Sequence, residues 1–169
     1  MGRELPANQH GHMDMPVAKQ GHAVLRPGRA SLPNQVYRVT VVTRSRQRYF
    51  EPFAAACTAA RAFTDRRSLG DSKLLAWVLM PDHAHWLLQV GVRDPLPVVV
   101  GRMKARSARA VNRLRGETRP VWASAYHDHA LRAEEDIAGV ARYLVANPLR
   151  AGLVKTVADY PFWDAVWLS

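Results

Sequence analysis

Two strand-like segments separated by a two-residue turn constrain the fold of this chain most strongly. Leu74–Met80 is a continuous apolar run, and His83–Val90 follows it directly after Pro81-Asp82. Runs of this length, rich in apolar and aromatic residues and bounded by turn residues, are typical of strands. Because Pro-Asp favours a tight turn, the sequence predicts an antiparallel hairpin here.

Further strand and helix patterns surround this hairpin. Strands and helices are predicted in the order β-α-β-β-α-β-α, over residues 36–43, 51–68, 74–80, 83–90, 98–114, 122–131 and 134–146. Three acids begin the last helix, where the helix dipole favours them, and Pro148 ends it. The order predicts an α/β (α+β) fold of ferredoxin-like or RRM-like type, an antiparallel sheet with helices on one face plus an added C-terminal helix.

Basic residues outnumber acidic ones in this chain. The 24 Lys and Arg against 14 Asp and Glu give a formal net charge of +10. Such a protein is drawn to polyanions, of which nucleic acid is the commonest and a membrane surface the rival. The longest apolar run is far shorter than the about 20 residues of a spanning helix, and the N-terminus lacks an apolar signal core. We therefore expect a cytoplasmic nucleic-acid-binding protein.

Length and composition predict one globular domain behind an N-terminal tail. A chain of 169 residues with 48% hydrophobic content can bury a full core. Residues 1–34 show no period and predict a flexible basic tail, which leaves a single domain at residues 35–169. The one cysteine, Cys57, excludes an internal disulfide and a multi-cysteine zinc site.

Three His-x-His pairs occur, at His10 and His12, His83 and His85, and His127 and His129. On a strand both imidazoles of such a pair lie on one face and can bind one cation. The first pair lies in the tail, where nothing fixes its rings. The third pair is interpreted either as residues that line an active site or, preferably, as partly exposed polar residues near DNA. The middle pair opens a central strand, where two imidazoles are costly to bury without partners. It predicts either a metal site or two satisfied histidines on an open sheet face.

Tyr143 and Asn147 lie four residues apart on the last predicted helix, so their side chains are neighbours. Ile137, Val140 and Leu144 form the apolar stripe beside them. One interpretation is a tyrosine that flanks the core and an asparagine that caps the helix. The other is a pair of functional side chains that one rigid element carries.

The helix predicted at residues 98–114 carries a basic stripe with no acid nearby. Its members share one side of the helix and are Arg102, Arg106, Arg109 and Arg113. A solvated helix face normally mixes charges of both signs. The stripe therefore favours contacts with the phosphate backbone of a nucleic acid.

Five segments in fixed order resemble the REP-associated tyrosine transposases, a branch of the single-tyrosine HUH transposases. They are Gly28–Pro33, Val36–Thr40, Val78–His85, Tyr126–Arg132 and Tyr143–Val154. Each segment alone is weak, but the ordered set, which spans about residues 26–162, is specific. The middle residue of the histidine motif, usually bulky and apolar in the family, is Ala84 here.

The resemblance implies a set of functional residues and a chemistry. It implies that His83, His85 and Asn147 bind a divalent metal, Mg²⁺ or Mn²⁺, and that Tyr143 is the nucleophile. It implies nicking and joining of single-stranded DNA through a 5′-phosphotyrosine on palindromic, hairpin-forming repeats, by a monomer or a homodimer. Candidate DNA contacts beyond the stripe are Arg44, Arg46, Tyr126 and His129, and Trp122 is a further candidate for base stacking.

Two alternatives come from other functional classes. A non-catalytic, RRM-like nucleic-acid-binding protein would share the fold and the charge. A zinc hydrolase that uses His-x-His would need further acidic or histidine ligands, of which this chain offers few. The joint presence of the two histidines, the tyrosine and the asparagine favours the transposase-like enzyme.

Overall fold

The structure, a computed structural model, describes residues 31–167 and is built on one five-stranded sheet. The strands are β1 (Val36–Val42), β2 (Lys73–Met80), β3 (His83–Gln89), β4 (His127–Ala130) and β5 (Trp163–Ala165). The helices are α1 (Phe53–Thr64), α2 (Arg66–Leu69), α3 (Leu96–Arg115), α4 (Ile137–Val145) and α5 (Asn147–Arg150). The strands lie in the order β4-β1-β3-β2-β5, and all neighbours are antiparallel.

The predicted hairpin forms the middle of the sheet. Strands β2 and β3 pair across the Pro81-Asp82 turn, with Met80 opposite His83 and Val78 opposite His85. Strand β1 pairs with β3 on its other side, so that Thr40 lies opposite His85. The predicted fold class, an antiparallel sheet backed by helices, is confirmed.

Each face of the sheet buries its own apolar cluster. On one face, which we call the α1/α3 face, Phe63 of α1 and Met103 of α3 pack with Trp86 and Leu88 of β3. On the other, the α4 face, the helix α4 packs on strand residues. That cluster joins the strand residues Val78, Met80 and Leu87 to the helix residues Ala141, Leu144 and Val145. Because side chains of a strand alternate between faces, His83 and His85 share the α4 face with Leu87.

Several predicted boundaries were wrong. The helix predicted at residues 51–68 is two helices, because Asp65 is extended and its carboxylate caps α2 through the Arg67 N–H. Helix α4 begins at Ile137, so the three preceding acids lie before its first turn. Only four residues of the strand predicted at 122–131 form β4, apart from one bridge between Thr43 and Trp122.

Strand β5 was not predicted. Its three residues pair with β2, and Tyr160 just before it donates a hydrogen bond from its hydroxyl to the Leu79 carbonyl at 2.6 Å. Such a short edge strand has too few residues to show a period in the sequence.

The predicted tail lies almost wholly outside the described residues, and with it His10, His12 and the first resemblance segment up to residue 30. Residues 31–34 precede the predicted domain boundary and are described, and two of them, Ser31 and Asn34, contact the domain. Ser31 accepts a hydrogen bond from the Leu96 N–H at 2.9 Å, and Asn34 donates to the Val90 carbonyl at 2.8 Å. None of the helices within residues 31–167 is both long and apolar enough to cross a membrane.

Candidate functional site

His83 and His85 lie side by side on β3. Their rings are 4.9 Å apart between centroids and nearly perpendicular, at 84°. Both side chains are half-buried, with 20% of the His83 side chain exposed. The alternation of the strand thus places two imidazoles together on the α4 face, as predicted.

One nitrogen of each ring is already engaged. The Nδ1 atom of His83 lies 2.6 Å from Asp82 Oδ1, and the Nδ1 atom of His85 lies 2.9 Å from the Thr40 hydroxyl. An imidazole whose Nδ1 is held by a neighbour presents its Nε2 as the metal-binding atom, and such partners fix the ring. Both rings therefore have the kind of Nδ1 contact that commonly orients a metal-binding histidine.

Burial keeps His85 in its neutral form. Burial, with smaller contributions from the charges of His83, Arg38 and Arg150, lowers the pKa of His85 from 6.5 to about 4. A metal ligand must be the neutral imidazole. At neutral pH, His85 consequently needs to release no proton in order to bind a cation.

The third predicted ligand, Asn147, is the first residue of α5, which Ala146 separates from α4. The prediction that one helix carries both Tyr143 and Asn147 was therefore wrong. The amide nitrogen of Asn147 donates to the Leu144 carbonyl at 2.7 Å, which leaves the amide oxygen as the atom available to a cation. Within residues 31–167, no three His, Cys, Asp or Glu side chains cluster as a metal site. Two imidazoles and an amide oxygen form a mixed nitrogen and oxygen set that suits Mg²⁺ or Mn²⁺, so the donor chemistry fits the implied metal.

Tyr143 is displayed on the outer side of α4, with 59% of the residue exposed. The guanidinium of Arg150 lies over its ring, 3.8 Å from the centroid, and donates to its carbonyl at 2.7 Å. The buried residue beside it, Leu144, anchors α4 to the cluster that includes Val78 and Met80, the partners of His85 and His83. The two histidines and the helix that carries Tyr143 therefore lie on the same face of the sheet.

Tyr126 does not join this group. It precedes β4 and packs against the cluster of the α1/α3 face. Burial raises its pKa to about 12, with a smaller contribution from Asp128. The structure thus separates Tyr126 from the histidines, and its DNA contact stays a prediction.

The third histidine pair lies on the α4 face, although not beside the first. His127 is opposite Thr40, whose other neighbour is His85, and His129 is opposite Arg38. Both histidines are exposed, and His129 Nε2 is 3.4 Å from Glu135 Oε1. The pair extends the polar part of the α4 face from the site toward the sheet edge.

The basic stripe lies on the other side of the molecule, since α3 packs on the α1/α3 face. Arg102 donates to the Ser68 carbonyl and to Asp94 at 2.8 and 2.9 Å. Arg106 donates to the Ser68 hydroxyl at 3.0 Å and lies 3.6 Å from Asp65. These two arginines join α3 to its neighbours in addition to any role with DNA.

The remaining members of the stripe, Arg109 and Arg113, are exposed. Together with Arg67 and Arg106 they line a cavity of about 310 Å³ whose floor includes Ala62 and Ala110. Arg109 and Arg113 are therefore the most suitable donors for the phosphate contact predicted for the stripe. That contact stays a prediction.

Three further predicted contacts have different surroundings. Arg44 and Arg46 lie exposed in a short 3₁₀ turn after β1, and Arg46 reaches Asp82 at 3.8 Å beside the histidines. Trp122 is buried, donates to the Ser107 hydroxyl at 2.9 Å and packs on Phe50. Trp122 is consequently a core residue and offers no surface for base stacking.

Sequence reasoning missed the residues that hold the site in place. Asp82 was interpreted only as part of a turn, although it precedes the histidine that it contacts. Thr40 is 45 residues from His85 in the chain, so only the strand register reveals the contact. Arg150 lies within the quoted resemblance segment, but nothing in its spacing indicates a stack on Tyr143.

Known proteins resemble this chain in sequence and in fold. The family model described as "Transposase IS200 like" matches residues 31–147. A REP-associated tyrosine transposase of Escherichia coli is 30% identical over 89 residues, which cover 52% of this chain and 50% of that protein. A Haemophilus influenzae protein assigned to the same group is 28% identical over 98 residues, covering 52% and 56%. The matches thus span about half the length of these relatives.

A solved structure shares the fold. It is a REP-associated tyrosine transposase bound to a REP hairpin, with a TM-score of 0.61 and 22% identity, and the match covers 80% of this chain and 79% of the other. The resemblance inferred from the five segments is confirmed by these matches.

Proposed function

The chain belongs to the IS200-like transposase family, and from that premise we propose that it nicks and joins single-stranded DNA through a covalent tyrosine intermediate. One observation carries the proposal. Two imidazoles with engaged Nδ1 atoms share a sheet face with the helix that displays an exposed tyrosine.

Tyr143 is the proposed nucleophile. Its phenolic oxygen forms a bond to phosphorus, and the bond from phosphorus to the 3′ oxygen breaks, so the products are a 5′-phosphotyrosine and a free 3′-hydroxyl. The phenolic proton is lost and the departing 3′ oxygen gains one. Because a phosphodiester is retained, attack by another 3′-hydroxyl reverses the step and joins two strands without a nucleotide cofactor.

His83, His85 and Asn147 are the proposed ligands of a divalent cation. When bound, Mg²⁺ or Mn²⁺ polarises the scissile phosphate and offsets the charge that develops on its oxygens. Asp82 and Thr40 hold the two imidazoles in position for this.

Hairpin-forming repeat DNA is the proposed substrate class. The solved relative named above was bound to a REP hairpin. On this chain, the part of the α4 face beside His85 carries exposed Arg38, His127 and His129, which can follow a single strand that leaves the site. Single-stranded flanks of a hairpin offer the accessible phosphates that this chemistry needs.

The test is a choice between two tyrosines. The protein is incubated with Mn²⁺ and labelled single strands that carry palindromic repeats from its own genome, and covalent adducts are resolved on a denaturing gel. We expect an adduct with wild type, none with Tyr143→Phe, and none in excess EDTA. Tyr126→Phe is the matched control and should retain the adduct, because its ring lies on the opposite face.

Mass spectrometry of the adduct identifies the modified peptide. An adduct on the peptide that contains Tyr126 would show that the nucleophile is misassigned. A wild-type protein that binds the strands but never forms an adduct would instead favour a non-catalytic binding protein.

A further inference from the structure

Arg150 is the basic side chain in contact with the proposed nucleophile. It lies in α5, seven residues after Tyr143, and its guanidinium carbon is 3.8 Å from the centroid of the tyrosine ring. Its Nη1 atom also donates to the Tyr143 carbonyl at 2.7 Å. The stack and the hydrogen bond together fix the position of the guanidinium relative to the ring.

Helix α5, which carries Arg150, lies against strand β2, and β2 pairs with the strand that carries the two histidines. Across residues 31–167 the structure gives Arg150 no salt bridge, whereas Arg46, Arg102, Arg106 and Arg142 each have one. Arg150 is exposed, and its hydrogen bond to the carbonyl uses only one of the five N–H groups of a guanidinium. Arg150 therefore keeps free N–H donors, and a charge without a salt-bridge partner among residues 31–167, beside the proposed nucleophile.

We propose that Arg150 binds a non-bridging oxygen of the scissile phosphate and holds the Tyr143 ring in line for attack. This inference rests on the function proposed above. A planar guanidinium can donate to a phosphate oxygen while it stacks on an aromatic ring, which a lysine ammonium does not do equally well. Arg150 would thus be a catalytic residue through the phosphate and a positioning residue through the ring.

A purely structural role makes a different prediction. If Arg150 only caps the end of α4 through the Tyr143 carbonyl, Lys could replace it, and its loss would lower thermal stability without a specific effect on the reaction. If Arg150 binds the phosphate, a positive charge alone does not support the full reaction rate, because the planar guanidinium with its two donors is required.

The experiment compares Arg150→Ala and Arg150→Lys with Arg142→Ala. Arg142 is the matched control, since it precedes Tyr143 on the same helix, is 60% exposed and pairs only with Asp136 at 3.3 Å. Single-turnover adduct formation is measured with saturating DNA and Mn²⁺. We expect Arg150→Ala to be slower by about 100-fold or more, Arg150→Lys to recover part of the rate, and Arg142→Ala to match wild type.

Two further readouts separate a phosphate contact from a fold defect. Guanidinium ion at a low, non-denaturing concentration should restore part of the rate of Arg150→Ala. Binding is measured in EDTA, which prevents catalysis, with a single strand that contains the cleavage site. Arg150→Ala should bind this strand more weakly, and the slope of log affinity against log salt concentration should be shallower by about 0.7.

The inference is overturned if Arg150→Ala forms adduct at the wild-type rate, or if Arg150→Lys is fully active. It is overturned equally if guanidinium gives no rescue and the salt slope is unchanged in a variant that melts like wild type. A wild-type protein that forms no adduct at all is a separate outcome, because it contradicts the proposed function itself.

Discussion

At the scale of single residues, the proposed site depends on two side chains that contact the Nδ1 atoms of His83 and His85. Asp82 and Thr40 each occupy one Nδ1 atom, and each is positioned differently. Asp82 is the turn residue that precedes β3, so its contact follows from the sequence of the hairpin. Thr40 comes from another strand, and its contact depends on the register of β1 against β3.

Removal of the aspartate should weaken metal binding. We expect Asp82→Ala to reduce the affinity for Mn²⁺ by about 10–100-fold, because the His83 ring loses the partner that fixes its orientation. Calorimetric titration of the DNA-free protein with Mn²⁺ measures the affinity. Asp128→Ala is the control, since Asp128 is an exposed carboxylate of β4 on the opposite face. Equal affinities of the two variants would contradict the role of Asp82.

The buried His85 should make the metal-free protein sensitive to acid. Its pKa is about 4 in the folded state against 6.5 for an unperturbed histidine. Between these pH values the unfolded chain binds a proton that the folded chain does not, so stability falls as the pH falls. The full shift corresponds to roughly 3 kcal/mol.

Urea unfolding in EDTA at pH 7 and pH 4 tests this, with His85→Gln as the comparison. The loss of unfolding free energy between the two pH values should be smaller in the variant, because it lacks the group that takes up the proton. His127→Gln, at an exposed position of β4, should keep the wild-type loss. An identical loss in wild type and His85→Gln would show that His85 titrates normally.

At the scale of elements, one helix carries arginines of two kinds. The periodicity of α3 predicted the helix and the common side of its four arginines, but not their neighbours. Arg102 and Arg106 reach Ser68, Asp94 and Asp65, because α2 and the loop before α3 pack against the start of the stripe. Arg109 and Arg113 lie farther along the helix and stay exposed.

This difference should appear as two separate phenotypes. Arg102→Ala should lower the unfolding free energy by roughly 1–3 kcal/mol, because Asp94 and the Ser68 carbonyl lose their donor. Arg109→Ala should leave stability within about 0.5 kcal/mol but weaken binding to all single strands alike and lower the salt slope by about 0.7. Chemical unfolding and binding titrations at several salt concentrations measure both. An Arg109 effect confined to one DNA sequence would indicate base contacts instead.

Elements with long apolar patterns could be predicted from the sequence, whereas elements of three or four residues could not. The hairpin, β1, α3 and the body of α4 follow from apolar patterns of seven residues or more. Strand β5 has three residues and β4 has four. Each is held in the sheet by hydrogen bonds to a longer neighbouring strand, β2 for β5 and β1 for β4, and this pairing leaves no local sequence pattern. The start of α4 was misplaced because acids before a helix and acids in its first turn give the same sequence signal.

At the scale of the whole molecule, the sheet separates two polar regions. The proposed site and the exposed Arg38 lie on the α4 face, whereas Arg109, Arg113 and their cavity lie beyond the helices of the α1/α3 face. Exposed basic side chains of the described residues therefore lie on both sides of the sheet. The sequence indicated Arg109 and Arg113 but not Arg38. The separation follows from the packing of α3 and α4 on opposite faces, which no local pattern specifies.

The order of the elements also affects how the protein is made. Strands β1, β2 and β3 and helix α1 all precede residue 90, whereas α4 and β5 end at residues 145 and 165. At about 5–20 residues per second, a growing chain can pair its central strands seconds before α4 exists. During that interval Val78, Met80 and Leu87 lack their helical cover, and exposed apolar surface of this kind promotes aggregation. The side of the sheet that carries the paired histidines is thus the last to be sheltered during synthesis, and the nascent chain should depend on chaperones most strongly at that stage.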